Sequence, residues 1–521
     1  MLQELTLRVD PKTAALSELL KKHVAGILKV TESRIARIDI LKRSIDARQR
    51  RVAVNLTVRV HIDRVETISM PELPRYEKLA PDAPTAIVVG AGPAGLFAAL
   101  RLIEEGVRPI VLERGKDVDS RRKDLARIAR EGKVDADSNY SFGEGGAGAY
   151  SDGKLYTRSK KRGDVNKILQ ILHGHGAPSD ILVDAHPHIG TNLLPEIIKN
   201  IRKTIENAGG VVKFNKRVDN LLFNDARTAV IGVSDSEGNQ YSGPVIMATG
   251  HSARDVYAMY KRLGVQIAAK GIAVGVRLEH PAALIDRLQY HSPEGRGRYL
   301  PAAEYSKLTR VDGRAVYSFC MCPGGVVVPA ATGPGQQVVN GMSASSRGSR
   351  WSNAGMVVEV LPEDIPGDDD LRIMRFQEEI EKNFFDESGG TQNAPAQRMV
   401  DFVKSAPSKD LPPTSYAPGI HPARIDKLLP PFIGRRLQAG FEEFGRKQPG
   451  FLTNEAVLIG AETRTSAPVR VPRDPEKLSH IDLPGLYPAG EGAGFAGGIV
   501  SAAIDGERCA QQVALCLKDR L

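Results

Sequence analysis

Gly90, Gly92 and Gly95 stand as G-x-G-x-x-G directly after the apolar run 86–89, and Glu113 closes a second apolar run 23 residues after Gly90. This spacing suits the pyrophosphate and ribose of a dinucleotide. Gly90 permits a tight turn, Gly92 lets backbone approach the phosphates, and Gly95 lets a helix pack close to the strand. The free N–H groups and positive end of that helix attract the anion, and Glu113 sits where a carboxylate takes a ribose hydroxyl. Pro93 and Ala94 complete the turn, and Arg114 follows the acid.

Other reactive types are scattered. Cys320 and Cys322 lie two apart in "SFCMCPGG", which on a strand puts both side chains on one face. They read as a thiol pair or substrate contact, or as two small buried residues. Arg277 in "GVRLEHP" and Arg464 in "ETRTS" are candidates to pair with an anionic substrate, or to sit in internal ion pairs. His186 and His188 in "HPHIG" are candidate proton donors or flavin attachment points, and His251 reads as a packing or capping residue. Zinc would need more ligands beside the cysteines, and none is nearby, so no metal site is expected.

The elements that must position these residues follow from patterning. In "TAIVVGAGPAGLFAALRLIEEGVRPIVLERG" the order is strand, turn, helix, strand. Ahead of it, "ELTLRV" reads as a strand, 13–30 as a helix and "RIARIDILKR" as a strand. "RVAVNLTVRVHI" alternates with Val52, Val54, Leu56, Val58, Val60 and Ile62 on one face. This is a small βαββ domain over 1–70. A linker over 71–84 follows, with four prolines from Pro71 to Pro84. Further on, "GIAVGVRLEHP", "AVYSFCMCPGGVVVPA" and "QQVVNGMSAS" read as strands, and 369–385 and 395–403 as helices.

Composition is that of a globular chain, with 521 residues, 41% hydrophobic and 26% charged. No apolar window is long enough to span a membrane, no secretory signal opens the chain, and four cysteines fit a reducing cytoplasm. Of the net charge of +9, residues 1–64 carry +7.

Two further segments bear on which dinucleotide is bound. "PVIMATG" is an apolar strand running into Ala248, Thr249 and Gly250. "GLYPAGEGAGFAGGIVSAAIDG" is a strand, a glycine turn and a helix. Here the chain resembles the two-dinucleotide-binding-domain flavoproteins. That resemblance implies FAD, with Gly490 and Glu491 at the ribityl and phosphate. It puts Gly497, Gly498 and Ile499 at the helix start near the pyrimidine edge of the ring. Together with "GEGGAGAYSDGKLYTR", "HPHIGTNLLPEIIKNIR", "ATGHSARDVY", "SFCMCPGG" and "ETRTSAPVRV", in this order, they resemble a bacterial family of FAD-dependent dehydrogenases or oxidoreductases of uncharacterised substrate.

The resemblance also gives meaning to "SFGEGGAGAYSDGKL", which has five glycines in fifteen residues. It implies that Gly145, Gly146, Ala147 and Gly148 lie against the cofactor as an anion-binding nest. Ser151, Asp152 and Gly153 would meet the flavin edge, and Lys154 would offset negative charge near N1 or N5. Val218 joins the cofactor-binding set. The implied fold class is α/β: a discontinuous Rossmann-like FAD-binding domain over 85–270 and 455–521, with an inserted β-rich α+β substrate domain over 271–454.

The function expected is an FAD-dependent oxidoreductase acting on a small, anionic molecule, with non-covalent FAD and NADH or NADPH as transient donor. Lys154, Arg277, Cys320, Cys322 and Arg464 are its candidate catalytic residues. No second G-x-G-x-x-G follows a strand, so a dedicated NAD(P)H domain is not expected. The alternative is an FAD-dependent RNA-modifying enzyme that binds tRNA through the basic N-terminal domain.

Overall fold

The computed structural model describes residues 1–66, 74–157 and 163–519. The glycine turn belongs to a parallel five-stranded sheet ordered Leu486–Pro488, Val245–Met247, Thr85–Val89, Arg108–Leu112, Val211–Lys213. Its central strand is apolar on both faces because both faces are covered, and residues 86–89 are all buried. After Thr85–Val89 the chain moves outward to Arg108–Leu112 and Val211–Lys213, then returns on the other side as Val245–Met247. The order reverses beside the central strand, which opens a crevice at the carboxyl ends of these strands.

Helix Pro93–Glu104 and helix Ile499–Lys518 pack along each other over this sheet. Their approach is close: a β-carbon on Gly506 would lie 2.0 Å from the Ala94 carbonyl oxygen. At the turn itself, Gly90 has φ of 102°, and a β-carbon on Gly95 would lie 1.9 Å from the Gly90 carbonyl oxygen.

A second, largely antiparallel sheet has seven strands in the order Leu308–Val311, Arg314–Cys322, Trp351–Val360, Ile272–Pro281, Val457–Glu462, Ala394–Arg398, Ile420–Pro422. Helices Arg372–Glu387 and Pro431–Lys447 contribute to the core packed on it. At the amino end, Leu2–Val9, Ala53–Ile62 and Ile35–Asp46 form an antiparallel sheet with Ala53–Ile62 in the middle. Val54, Leu56, Val58, Val60 and Ile62 are buried on its helix-covered face, while Val52 packs instead against the seven-stranded body. Arg43 joins this sheet to the rest, through backbone bonds to Val183 and Ala185 and a 2.6 Å ion pair with Asp184.

Several expected elements differ. The helix expected over 13–30 is two, Pro11–Ala15 and Ser17–Leu28, separated at extended Leu16. The helix expected over 395–403 is a strand, Ala394–Arg398, followed by a short helix, Met399–Val403. "AVYSFCMCPGGVVVPA" is split between two sheets, because Val326–Pro329 pairs with Val339–Met342 alone. The chain was expected to rejoin the dinucleotide-binding part near Glu455. It does so later, since Val457–Glu462 is still an interior strand of the seven-stranded sheet. Residues 67–70 of the expected first domain and 71–73 of the expected linker lie outside the described residues.

Candidate functional site

The crevice at the strand-order reversal is a cleft open to solvent. One end is lined by Glu113, Arg114, Lys216, Arg217 and Val218. The middle is lined by Gly90, Gly92, Pro93, Ala94, Gly146, Ala147 and Gly148, facing Ala248, Thr249 and Gly250. The inner end has Ser151, Asp152, Gly153, Lys154, Cys320 and Arg464, with Gly490, Glu491, Gly498 and Ile499 beside it.

The cleft fits a dinucleotide on its own features. Both long helices start at it, capped by Gly92 and Gly498, and neither cap has a side chain to hydrogen-bond the first-turn N–H groups. Those donors and both helix dipoles face the same space, which suits an anion. At Gly92 an added β-carbon would have only Gly146 Cα within 4 Å, at 3.8 Å, so the turn is open toward the cleft.

Glu113 lines the cleft at its expected place and also has partners within the protein. Its carboxylate accepts three backbone N–H bonds, from Ala91 at 2.8 Å and from Gly115 and Gly143 at 2.9 Å each. It therefore ties the first glycine turn to the second glycine loop and lines the cleft from behind them.

The second loop is locked from inside. Arg121, fully buried, donates to the carbonyl oxygens of Asn139 and Glu144 at 2.8 Å each and lies over the Tyr150 ring. Burial pulls this guanidinium down to about 10, so it stays charged at neutral pH. Glu144 accepts from Val118 N–H at 2.9 Å and from Arg202 at 2.7 Å. Gly146, Ala147 and Gly148 line the cleft, but Gly145 does not. Gly145 has a left-handed φ of 84°, and a β-carbon there would also crowd Ile198 and Ala149, so backbone conformation and packing both favour glycine. Gly497 is likewise outside the lining and exposed, and Gly95 is buried between helix and strand.

At the inner end, three expected polar residues have partners distant in sequence, and a fourth, Ser151, has local ones. Asp152 was expected at the flavin edge, yet it is buried and paired with Arg347 through two bonds, of 3.1 and 2.5 Å. Ser151 Oγ donates to the Gly148 carbonyl and accepts from Gly153 N–H, so it shapes the loop. Arg277 was expected to meet an anionic substrate. It is fully buried instead, bonded to Asn353 at 2.8 Å and paired with Glu462 at 3.3 Å. Arg464 reaches the cleft wall, but Glu381 takes it with bonds of 3.0 and 2.9 Å. Arg254 clasps the same carboxylate from the other side, at 2.8 Å to each oxygen. Against its burial, Arg464 and Arg254 hold Glu381 well below the usual carboxylate range.

Lys154 remains on the cleft wall, with its ammonium resting on the Met321 carbonyl. Among the described residues it meets no carboxylate within 4 Å. Cys320 lines the cleft, and Cys322 is fully buried behind it. The strand that carries them is not regular. Cys320 has φ of 43°, and the register slips between Phe319 and Cys322, so the face-sharing expected of a flat strand does not apply.

The histidines divide. His186 is largely exposed and pairs with Glu304 at 3.2 Å. Despite the burial of Glu304, the His186 ring, Lys154 and Arg347 hold its carboxyl down to about 2. His188 bonds the Ser345 carbonyl and is outside the cleft lining. His251 lines the cleft, bonds Ser252, and is pulled down to about 4 by burial and by the nearby Arg464 and Arg254. Burial pushes Glu491 up to about 8, with Lys270 opposing, and Glu462 up to about 7, with Arg277 opposing.

Lys216, Arg217, Phe142, Asn340 and Arg347 were not expected at the site. No local spacing marks them. Lys216 and Arg217 lie just before strand Val218–Phe223, and Arg347 comes from a loop after the two-stranded sheet.

Three family models match the chain. They are a FAD binding domain over 83–125, a FAD-dependent protein C-terminal domain-like region over 271–465, and a domain of unknown function over 1–61. Over 513 residues, 95% of either chain, the sequence is 41% identical to an uncharacterized protein of Clostridium beijerinckii. Protein FixC of Salmonella typhi is 27% identical over 220 residues, 40% of this chain and 47% of that one. A geranylgeranyl bacteriochlorophyll reductase-like protein from Thermoplasma acidophilum matches in structure with a TM-score of 0.35 and 13% identity, over 84% of this chain and 80% of that one.

Proposed function

The chain belongs to the family of FAD-dependent proteins, and from that premise we propose that it is an oxidoreductase acting on a small molecule. The observation that carries the reading is the convergence of two uncapped helix N-termini and an open glycine turn on one cleft. FAD is held there non-covalently, with its pyrophosphate at residues 90–95 and its adenosine toward Glu113, Arg114 and Val218. Its flavin lies toward Glu491, Gly498 and Lys154. Bound there, FAD supplies two-electron chemistry. The protein's part is to bind, to orient and to set the charge around that end of the cleft.

The residues narrow the reading further. Arg277 and Arg464 are committed to Glu462 and Glu381, so they give no reason to expect an anionic substrate. The basic N-terminal sheet does not support an RNA substrate either. Six of its basic residues, Arg8, Arg34, Arg37, Arg43, Arg48 and Arg59, are held in ion pairs, and the family model that covers the sheet is a domain of unknown function. No helix among the described residues is long and apolar enough to cross a membrane.

The test is the flavin content of the purified protein. Wild type should carry FAD near one per chain, released on denaturation. Gly92→Val should lose it, because the branched side chain fills the opening over the turn. Equal flavin in both proteins would defeat the assignment. Anaerobic mixing of the holoprotein with NADH and with NADPH, separately, then identifies the donor by which one bleaches the flavin.

A further inference from the structure

The irregular strand end at 319–322 points to chemistry that the flavin alone does not require. Against Trp351–Val360, Phe319 pairs with Gly355 and Cys322 with Asn353. Three steps on one strand thus span two on the other, and the compressed residues include Cys320 and Met321. A regular strand rises about 3.3 Å per residue, which sets alternate α-carbons near the upper limit for a disulfide. The left-handed φ of 43° at Cys320 is a conformation that a residue with a β-carbon holds only when its surroundings enforce it.

Those surroundings are specific. Arg277 Nη2 donates to the Cys320 carbonyl at 2.7 Å and lies 3.2 Å from Cys322 Sγ. Lys154 holds the next carbonyl, that of Met321. Glu462 keeps Arg277 in place from behind. Cys322 Sγ donates to the Cys320 carbonyl at 3.4 Å, with Cys320 on the cleft wall and Cys322 buried behind it.

We propose that Cys320 and Cys322 are a redox-active dithiol that exchanges two electrons with FAD bound in the cleft. The proposal rests on the FAD reading above. In the oxidative direction the Cys322 S–H bond breaks and one S–S bond forms with the Cys320 thiolate. The two electrons and the one proton released pass to FAD, which becomes the anionic FADH−; the reverse reopens the bond. Cys320 is the thiol that faces the cleft, and Cys322 is its resolving partner. The neighbouring Cys322 thiol, with Arg277 and Lys154 nearby, lowers the Cys320 thiol below its usual range against its burial. The same pairing and burial raise Cys322, so one sulfur carries the charge and the other keeps the proton. Asp152 and Glu491 face the pair with the opposite influence, and the cations outweigh them at Cys320.

The test uses the air-oxidised holoprotein, with its FAD content measured first. Anaerobic reductive titration should take up four electrons per FAD in wild type, two for the flavin and two for the disulfide. Cys320→Ser and Cys322→Ser should each take up two. A second readout needs neither a variant nor the flavin's activity. Alkylation under denaturing conditions, followed by mass measurement, should label two of the four cysteines in the oxidised protein and all four after reduction. Flavin-replete wild type that takes up two electrons and alkylates fully when oxidised would overturn the dithiol and leave the FAD reading standing. Protein purified without flavin would instead overturn the FAD reading, and with it the exchange.

Discussion

Glu491 gives the sharpest test of where the cofactor lies. Its carboxyl lines the cleft and is pushed up to about 8 by burial, with Lys270 the opposing cation. At pH 7 about one such carboxyl in ten is ionised, and at pH 9 about nine in ten. FAD brings a doubly charged pyrophosphate, so it should favour the protein in which Glu491 is neutral. The acid's folded value is raised, so the favourable form is present below about 8 and is lost as pH rises through it. When one form binds, the apparent dissociation constant scales inversely with the fraction in that form. From pH 7 to pH 9 wild-type affinity should fall about tenfold, or about 1.4 kcal/mol.

Glu491→Gln keeps the shape and cannot ionise. Its affinity at pH 7 should stay within about threefold of wild type, and its loss between pH 7 and 9 should shrink to about twofold or less. Burial also lowers Lys270, whose charge it retains less well as pH rises. Glu491 in turn supports the charge on Lys270, so the difference between the two proteins reads Glu491 together with its effect on Lys270. The assay is titration of flavin-free protein with FAD, followed by fluorescence quenching, at pH 7, 8 and 9. Equal pH dependence in the two proteins would refute the reasoning, as would tighter wild-type binding at pH 9.

Three other substitutions separate site from scaffold. Arg464→Met leaves the buried Glu381 with Arg254 alone, and breaking a buried pair costs about 3–5 kcal/mol, so the denaturation midpoint should fall sharply; a loss under about 1 kcal/mol would mean the network relaxes. Gly95→Val places a side chain where even a β-carbon lies 1.9 Å from the Gly90 carbonyl oxygen, so helix and turn should separate; soluble, flavin-replete protein would contradict this geometry. Lys154→Met removes a cation at the inner end of the cleft, and the flavin potential should drop, with about 30 mV corresponding to about 1.4 kcal/mol for a two-electron couple; an unchanged potential would place Lys154 away from the ring.

Much of the cofactor-binding half was legible because its signals are local. A strand, a glycine turn and a helix have their own periodicities, and Gly90, Gly92, Glu113, Gly490 and Gly498 needed no distant partner to be found. Charged side chains were not legible in this way. Asp152 finds Arg347, Arg277 finds Glu462 and Arg464 finds Glu381, each across at least 83 residues, and no window of sequence contains both members. The strand Ala394–Arg398 was missed for a related reason. Pro395 is tolerated there because it pairs only with Ile420–Pro422, and the two-sided pairing starts at Ala396. The extra residue at 319–322 is likewise invisible until Trp351–Val360 lies beside it.

These pairings change what the inner end of the cleft can do. Three guanidiniums surround it, and each faces a buried carboxylate: Arg277 and Glu462, Arg347 and Asp152, Arg464 and Glu381. A cation with its counter-ion in contact acts at a distance as a dipole, so the three pairs fix geometry more than they supply net charge. His251, held down to about 4, is neutral at pH 7, and so for the most part is Glu491. The balance is positive: Arg254 and Arg464 bring two cations to the single Glu381, Lys270 faces Glu491, the Lys154 ammonium rests on a carbonyl, and the N-terminus of helix Ile499–Lys518 adds to them. A reduced flavin gathers negative charge, and a thiolate at Cys320 carries the same sign. One field therefore favours both reduced centres, and preorganised charge of this kind needs no rearrangement when an electron pair arrives. It also makes Lys154 and Glu491 opposed controls, since losing the first or ionising the second lowers the same positive potential.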